Sequence, residues 1–318
     1  MLKIGSNISE VRIDGNLKSL RLDLDAFLAC GLTAAEIPVH GVDAIKNGRL
    51  DRKQALEVRR ILEDYPFSYS VHAPNPLNLM DRDNLDMHIA VLDASLQFCL
   101  EIGSTLLVYH PGRYLAEEEF AVKGPIMLSD TQKKRLLEQE AAILQNYAGQ
   151  YQLVTIALEN ARPYRFHSPY CYAEIPAELK KQVRRIARDN VRVTLDFGHL
   201  WMAAKFYGFD PLTEITALAR LIAHCHVHDN FGASVFASEK QQTHQIPFGR
   251  GDSHMPVGWG DIPFPELFLP FLEQFEGLLI AELRGRYFAH TRESATTLAT
   301  MVSSLTGRTT QQLLTVNI

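Results

Sequence analysis

Eight short, apolar, β-branched runs alternate along this chain with longer amphipathic stretches, and that alternation restricts the fold more than any other feature. The runs are Leu2–Ile8, Ala34–Val39, Phe67–His72, Thr105–His110, Val154–Glu159, Val191–Asp196, Ala223–His228 and Leu278–Leu283. Between them, apolar residues recur every three or four positions, the period of a helix with one buried face. Asn84–Ile102, with Leu85, Ile89, Leu92, Leu96 and Leu100, is the clearest case. Leu17–Leu28, Thr131–Tyr147, Ala177–Ala187, Pro211–Leu221, Pro265–Phe275 and Thr291–Leu305 read the same way. Parallel strands cannot be joined by a tight turn and need a crossover, usually a helix. Eight such units close into a (β/α)8 barrel. An open doubly wound sheet would want a Gly-rich turn after its first strand, and Gly5-Ser6-Asn7-Ile8-Ser9-Glu10 is not one.

The chain has 318 residues, enough for a barrel of about 250 residues with insertions. The expectation is therefore one α/β domain over 1–318, with the barrel spanning about 1–305 and a short C-terminal tail. Two insertions break the rhythm, Pro111–Gln132 after the fourth strand and Asp229–Phe264 after the seventh. Long loops in a compact domain usually carry function, and the second is rich in Gly, Pro and aromatic residues. Lys plus Arg number 32 against 37 Asp plus Glu, a net charge of −5. Nucleic-acid affinity comes mostly from clustered cations, so a polyanion is a poor fit. The basic stretch Lys180, Lys181, Arg184, Arg185, Arg188 reads as the solvated face of an outer helix. Cys30, Cys99, Cys171 and Cys225 form no C-x-x-C pair, which argues against a disulfide framework or a thiolate zinc site. No run of about 18 apolar residues is present to span a membrane, and the N-terminus lacks a signal-peptide pattern. The expected location is cytoplasmic.

The C-terminal ends of barrel strands face the catalytic mouth, and here they carry an unusual set of side chains. Strand three ends at His72, strand four at His110, strand five at Glu159-Asn160, and strand six at Asp196-Phe197-Gly198-His199. Strand seven holds His226-Val227-His228-Asp229-Asn230, its loop adds Asp252-Ser253-His254, and strand eight ends at Glu282. Carboxylates packed this closely would repel one another unless a cation compensated. Mixed imidazole and carboxylate donors without thiolate suit Zn²⁺ or Mn²⁺. His224, on the same strand face as His226, and Glu36, at the end of strand two, are candidates to support these residues from behind. His40, His88, His167, His244 and His290 lie off this pattern.

The ordered set His-Ala-Pro, His-Pro-Gly, Glu-Asn, Asp-x-x-His, His-x-His-Asp-Asn, Asp-x-His-x-Pro-x-Gly-x-Gly-Asp-Ile and a strand-borne final Glu resembles the xylose isomerase-like TIM-barrel superfamily. That group contains sugar isomerases and epimerases and the endonuclease IV type of AP endonuclease. The resemblance implies that Glu159, Asp196, His226 and Glu282 form a single-metal quartet, with both glutamates moving protons. It implies substrate contact or metal ligation for His199. It also implies that His72, His110, Asp252 and His254 complete a multi-metal set, giving capacity for one to three Zn²⁺ or Mn²⁺ per chain. Two activities follow from it. One is isomerisation or epimerisation of a small sugar, sugar phosphate or sugar acid, with Glu159, Glu282 and His199 catalytic. The alternative is a multi-zinc phosphodiesterase, which would explain His72, His110, Asp252 and His254 most simply.

Against DNA cleavage, His72-Ala73-Pro74 continues Asn75-Pro76-Leu77 without the aromatic that endonuclease IV enzymes place there. Glu282 is followed by Leu283-Arg284 rather than Thr-Pro. Arginines crowd the mouth at Arg113, Arg162, Arg165, Arg250, Arg284 and Arg286, and arginine binds phosphate and carboxylate bidentately. Together they point to an anionic sugar-like substrate, with Arg162, Arg284 and Arg113 as contacts. Trp259 and His228 are further candidates to touch it, with Trp201 in a neighbouring mouth segment. A homo-oligomer is left open.

Overall fold

The computed structural model of the chain describes residues 2–124, 128–237 and 242–315. Its strands are β1 (Lys3–Asn7), β2 (Ala34–Pro38), β3 (Ser68–His72), β4 (Leu106–Tyr109), β5 (Thr155–Glu159), β6 (Val191–Asp196), β7 (Ile222–Val227) and β8 (Leu278–Ala281). All eight pair in parallel with their sequence neighbours. The ring closes where β8 returns to β1, from Lys3↔Leu278 to Ser6↔Ala281. The result is a (β/α)8 TIM barrel. Each strand lies within one or two residues of its apolar run, because a strand buried on both faces reads as a continuous hydrophobic stretch.

The helices on the outside are α1 (Leu17–Ala29), α2 (Arg52–Leu62), α3 (Leu85–Glu101), α4 (Asp130–Gln150), α5 (Pro176–Ile186), α6 (Phe197–Tyr207), α7 (Pro211–Leu218) and α8 (Thr291–Thr306). Their starts are written locally. Asn16 caps α1, Asp51 caps α2, Ser129 and Gln132 form a capping box at α4, and Asp210 caps α7. Each satisfies backbone N–H groups that the first helical turn leaves open. Leu20, Leu24 and Phe27 on α1, and Leu298, Ala299 and Val302 on α8, are fully buried against the barrel. Each large side chain of this kind stabilises by about 1.5–3 kcal/mol. The basic stretch falls on and just after α5, where Lys181 pairs with Glu178 at the surface.

Several elements differ from the sequence expectation. Pro265–Phe275 is not one helix but two short pieces, Phe264–Phe268 and the 3₁₀ turn Leu272–Gln274, separated by Pro270, which lacks the N–H a helix needs. Pro211–Leu221 tightens into a 3₁₀ turn at Ala219–Leu221. Helices α2 and α6 and the small hairpin Ile45–Lys46/Arg49–Leu50 are additions. Both insertions are present, although residues 125–127 and 238–241 within them lie outside the described residues. None of the four cysteines is paired, and among the described residues no helix is long and apolar enough to cross a membrane.

Two buried carboxylates pin the insertions over the mouth. Glu140 on α4 accepts from Tyr109 Oη at 2.9 Å, Gly112 N at 2.6 Å, Tyr172 Oη at 2.7 Å and Gln182 Nε2 at 2.9 Å. Asp229 accepts from the backbone N–H of Gly258, Ile262 and Asn230 at 3.0, 3.3 and 3.0 Å. The Asp229 and Met255 backbones also exchange two hydrogen bonds, which fold the loop after β7 back so that residues 252–254 reach the barrel axis.

Candidate metal centre

Glu159 is the last residue of β5, and the next side chain locks it to β6. Asn160 Oδ1 accepts from Asp196 N at 2.8 Å, and its Nδ2 donates to Asp196 O at 2.9 Å, extending the strand pairing by one side-chain rung. Asp196 caps α6, with Oδ1 accepting from His199 N at 2.6 Å. This engagement turns its other oxygen inward, 3.0 Å from His228 Nε2 and 3.8 Å from His226 Nδ1. Gly198 lies between these two motifs. A Cβ there would overlap the His228 ring, so only glycine lets α6 start so close to β7.

His226 Nε2 is 2.9 Å from Glu36 Oε1, and Ser70 Oγ donates to the other Glu36 oxygen at 3.0 Å. The opposite nitrogen, Nδ1, then faces Glu159 Oε1 at 3.4 Å, Glu282 Oε2 at 3.5 Å and Asp196 Oδ2 at 3.8 Å. Carboxylate, imidazole and ligand point in line are the usual arrangement for orienting a metal-binding histidine. His226 Nδ1, Glu159 Oε2 and Glu282 Oε2 are buried without a hydrogen-bond partner. Unsatisfied buried polar atoms are costly, and the ligand atoms of Glu159, Asp196 and His226, like those of Asp196, His228 and Glu282, lie within 4.8 Å of one another, close enough to share a divalent cation. The residues fit such an ion.

Two further groups flank this one. His110 Nε2 and His72 Nε2 lie 3.2 and 3.7 Å from Glu159 Oε2. On the other side, Asp252 Oδ2 is 2.8 Å from His254 Nε2 and 3.3 Å from His199 Nε2, with His228 Nε2 3.8 Å from Asp252 Oδ1. Within each group the candidate ligand atoms lie within 4.8 Å of one another. His254 adopts a left-handed backbone, φ 43°, a strained conformation for a non-glycine residue that brings its ring onto the His228 ring at 3.9 Å between centroids.

The electrostatics follow from burial and counter-charge. Burial alone would raise the Glu159 carboxyl, but His226, His110 and His199 hold it well below the usual carboxylate range. Glu282 is burdened by the same desolvation and lowered by His226 and His254. Burial lowers His254, yet Asp252 and Glu282 outweigh it and push the imidazole up to about 10. His72 is similarly desolvated and raised by Glu159 and Glu36 to about 9. Protonated imidazoles thus balance the carboxylates, and metal ions compete with those protons.

All nine sequence-predicted ligands (His72, His110, Glu159, Asp196, His199, His226, Asp252, His254 and Glu282) gather at the C-terminal mouth. Most line a cavity of about 510 Å³, within the range of small-molecule sites. Arg162 and Arg284 also line it, although Arg284 Nη2 already donates to Asp252 O at 2.7 Å. The other three expected substrate contacts lie elsewhere. Arg113 is buried and donates to the Asn75 and Leu77 carbonyls at 2.9 and 3.2 Å, bracing the loop after β3. Trp259 sits outside the cavity lining, with Nε1 donating to Glu293 at 2.8 Å. His228 is fully buried on Asp196, below any surface a substrate reaches. Trp201 stacks under Lys205, 4.8 Å from its ring centre. His40 and Arg12 line the cavity instead. The end of strand two at Pro38-Val39 was a positional signal for His40, whereas nothing local marks Arg12.

Residues 24–303 match the xylose isomerase-like TIM barrel family. No curated protein matches the sequence. Among solved structures, a D-tagatose 3-epimerase-like protein is similar at a TM-score of 0.67 and 19% identity, covering 95% of this chain and 98% of that one. An L-ribulose 3-epimerase gives 0.68 and 15%, covering 96% of each chain. A 3-keto-D-glucoside 4-epimerase from E. coli gives 0.63 and 15%, covering 94% and 100%. At such identities the likeness is one of fold.

Proposed function

The chain belongs to the xylose isomerase-like TIM barrel family, and from that premise we propose that it is a divalent-metal-dependent isomerase or epimerase. Its substrate is a small sugar, sugar phosphate or sugar acid, and the reaction moves a proton at the carbon beside a carbonyl. The observation that carries this reading is that Glu159 Oε1 and Glu282 Oε2 lie 3.4 and 3.5 Å from one atom, His226 Nδ1, and that both glutamates line the cavity. The names of the three structures above agree with it. Glu159, Asp196, His226 and Glu282 would hold the ion, with His72 and His110 as further ligands beside Glu159. Zn²⁺ or Mn²⁺ bound there supplies Lewis acidity to a carbonyl and its neighbouring hydroxyl.

The chain's own groups do the rest. Glu159 comes from β5 and Glu282 follows β8, three strands apart around the ring. One carboxylate accepts the carbon-bound proton and the other returns one from a different direction, which suits inversion at that carbon. Asn160, Glu36 and Ser70 keep these groups aimed. His199 is anchored by Nδ1 to Asn160 O at 2.8 Å and holds the cavity wall. The guanidinium groups of Arg284 and Arg286 at the mouth would receive an anionic end of the substrate.

A multi-metal phosphoester hydrolase is the second reading, and the His72–His110–Glu159 group favours it, because a single-ion isomerase does not need those histidines. Two assays on the metal-loaded enzyme separate the readings: solvent deuterium entering ketoses, ketose phosphates and sugar acids, and cleavage of abasic-site DNA. Incorporation without cleavage is expected. Cleavage without incorporation would reverse the assignment.

A further inference from the structure

We propose that Arg162 is a resident cation that takes the place of a metal ion at the His199–Asp252–His254 group, so that this protein loads metal at the Glu159-centred groups and holds at most two ions. The inference rests on the reading that the mouth binds divalent metal.

Arg162 Nη1 lies 3.2 Å from His199 Nε2 and 3.4 Å from Asp252 Oδ2. These are two of the ligand atoms that an ion in this group would use, and the same Asp252 oxygen is 2.8 Å from His254 Nε2. His199 Nδ1 lies 2.8 Å from the Asn160 carbonyl oxygen, so the ring is held with Nε2 facing Asp252 Oδ2 at 3.3 Å and the Arg162 guanidinium. A guanidinium can only donate. Arg162 Nη1 therefore occupies the position between His199 Nε2 and Asp252 Oδ2 that an ion in this group would need. The guanidinium is also permanently charged and repels a second cation in the same recess.

Arg162 is anchored there from outside the group. Its Nη2 donates to Tyr164 Oη at 3.0 Å and lies 3.8 Å from Glu117 Oε1, which Tyr170 Oη holds at 2.9 Å. Pro163 follows it and restricts its backbone. Among the described residues, no Arg or Lys pairs with Glu159, Asp196 or Glu282, whose charged partners are imidazoles. Among the described residues, one group of ligands alone has a built-in counter-cation.

The test counts ions. Wild type and Arg162→Met are stripped with chelator, reloaded with Zn²⁺, desalted and analysed by plasma mass spectrometry, with thermal unfolding as the control for folding. Wild type is expected to hold one or two ions and Arg162→Met one more. A folded variant that gains none overturns the Arg162 assignment and leaves the metal reading intact. A wild-type chain that holds none overturns the metal reading and this inference with it. Should the variant not fold, anomalous diffraction from zinc-soaked wild-type crystals decides. A peak bounded by Glu159, Asp196, His226 and Glu282, with none between His199, Asp252 and His254, supports the proposal. A peak in that second position overturns it, as does a wild-type count of three.

Discussion

His226 and Glu36 are 190 positions apart in sequence, yet Nε2 and Oε1 meet at 2.9 Å inside the barrel, and this contact decides which way the imidazole faces. With Nε2 committed to Glu36, Nδ1 turns toward Glu159, Asp196 and Glu282. The partnership also sets charge. Burial would raise the Glu36 carboxyl, but His226 and His224 keep it ionised, below its ordinary range.

Glu36→Ala leaves the His226 ring without its brace. Supporting carboxylates of this kind are worth about 10–100-fold in metal affinity, and a loss of that size is expected in a calorimetric zinc titration. Unchanged affinity would mean that the strand alone orients the ring.

Glu159→Gln keeps the shape of the side chain and removes both its charge and its basicity. Turnover should fall by at least about 100-fold, read as deuterium incorporation at saturating metal. Normal turnover would remove Glu159 from the chemistry.

Metal loading should release protons. His72 and His254, raised to about 9 and about 10 by neighbouring carboxylates, are protonated at pH 7.5 in the metal-free protein, and an ion beside Glu159 needs the His72 lone pair. Affinity should rise with pH until the His72 value of about 9 is passed. The sign for stability is opposite. Folded-state values above the unfolded 6.5 stabilise the metal-free chain fully below that pH, and the gain is lost as pH rises through about 9 and then about 10. The Tm of chelated protein should therefore fall between pH 7 and 10. An indicator-dye titration showing no proton release on zinc addition would contradict this account.

Gly198→Ala puts a Cβ into the His228 ring. Overpacking of this type costs about 1–3 kcal/mol, and a lowered Tm with weaker metal binding is expected. A normal Tm would show that the start of α6 can shift.

Glu174 is almost fully buried and accepts from Tyr170 N, Cys171 N and Tyr207 Oη at 2.7, 3.1 and 2.7 Å. Burial outweighs those donors and raises its carboxyl to about 7. The folded chain keeps a proton that the unfolded chain loses near 4.5, so stability declines as pH rises from about 4.5 to about 7, by up to about 3 kcal/mol. Denaturant unfolding of Glu174→Gln should lack that decline, and identical pH profiles for the two proteins would refute it.

Eight apolar runs written in order were enough to anticipate eight strands, because a strand buried on both faces must be hydrophobic throughout. The mouth was legible for the same reason: a polar residue ending such a run has nowhere to be but the barrel rim, which is how His72, Glu159, Asp196 and Glu282 stand out. Helix α6 was harder to read. It starts at Asp196 with no intervening loop, and Phe197–Tyr207 is apolar on most sides, so no amphipathic period marks it. Arg113 and Trp259 look like substrate contacts in sequence because they follow strand ends. The loop carbonyls and Glu293 that claim their donors are remote in the chain.

What the sequence by itself determined was therefore the periodicity: which segments are strands, how they must connect, and which side chains collect at one end of the ring. Only the tertiary structure decided their direction. Glu36 turns His226, Asn160 ties the Asp196 backbone to β5, and Arg162 enters one ligand group while leaving the others clear. The physical reason is that burial pattern is a local property of the chain. The donor that satisfies a given buried atom is chosen by whatever the fold brings within about 3 Å of it.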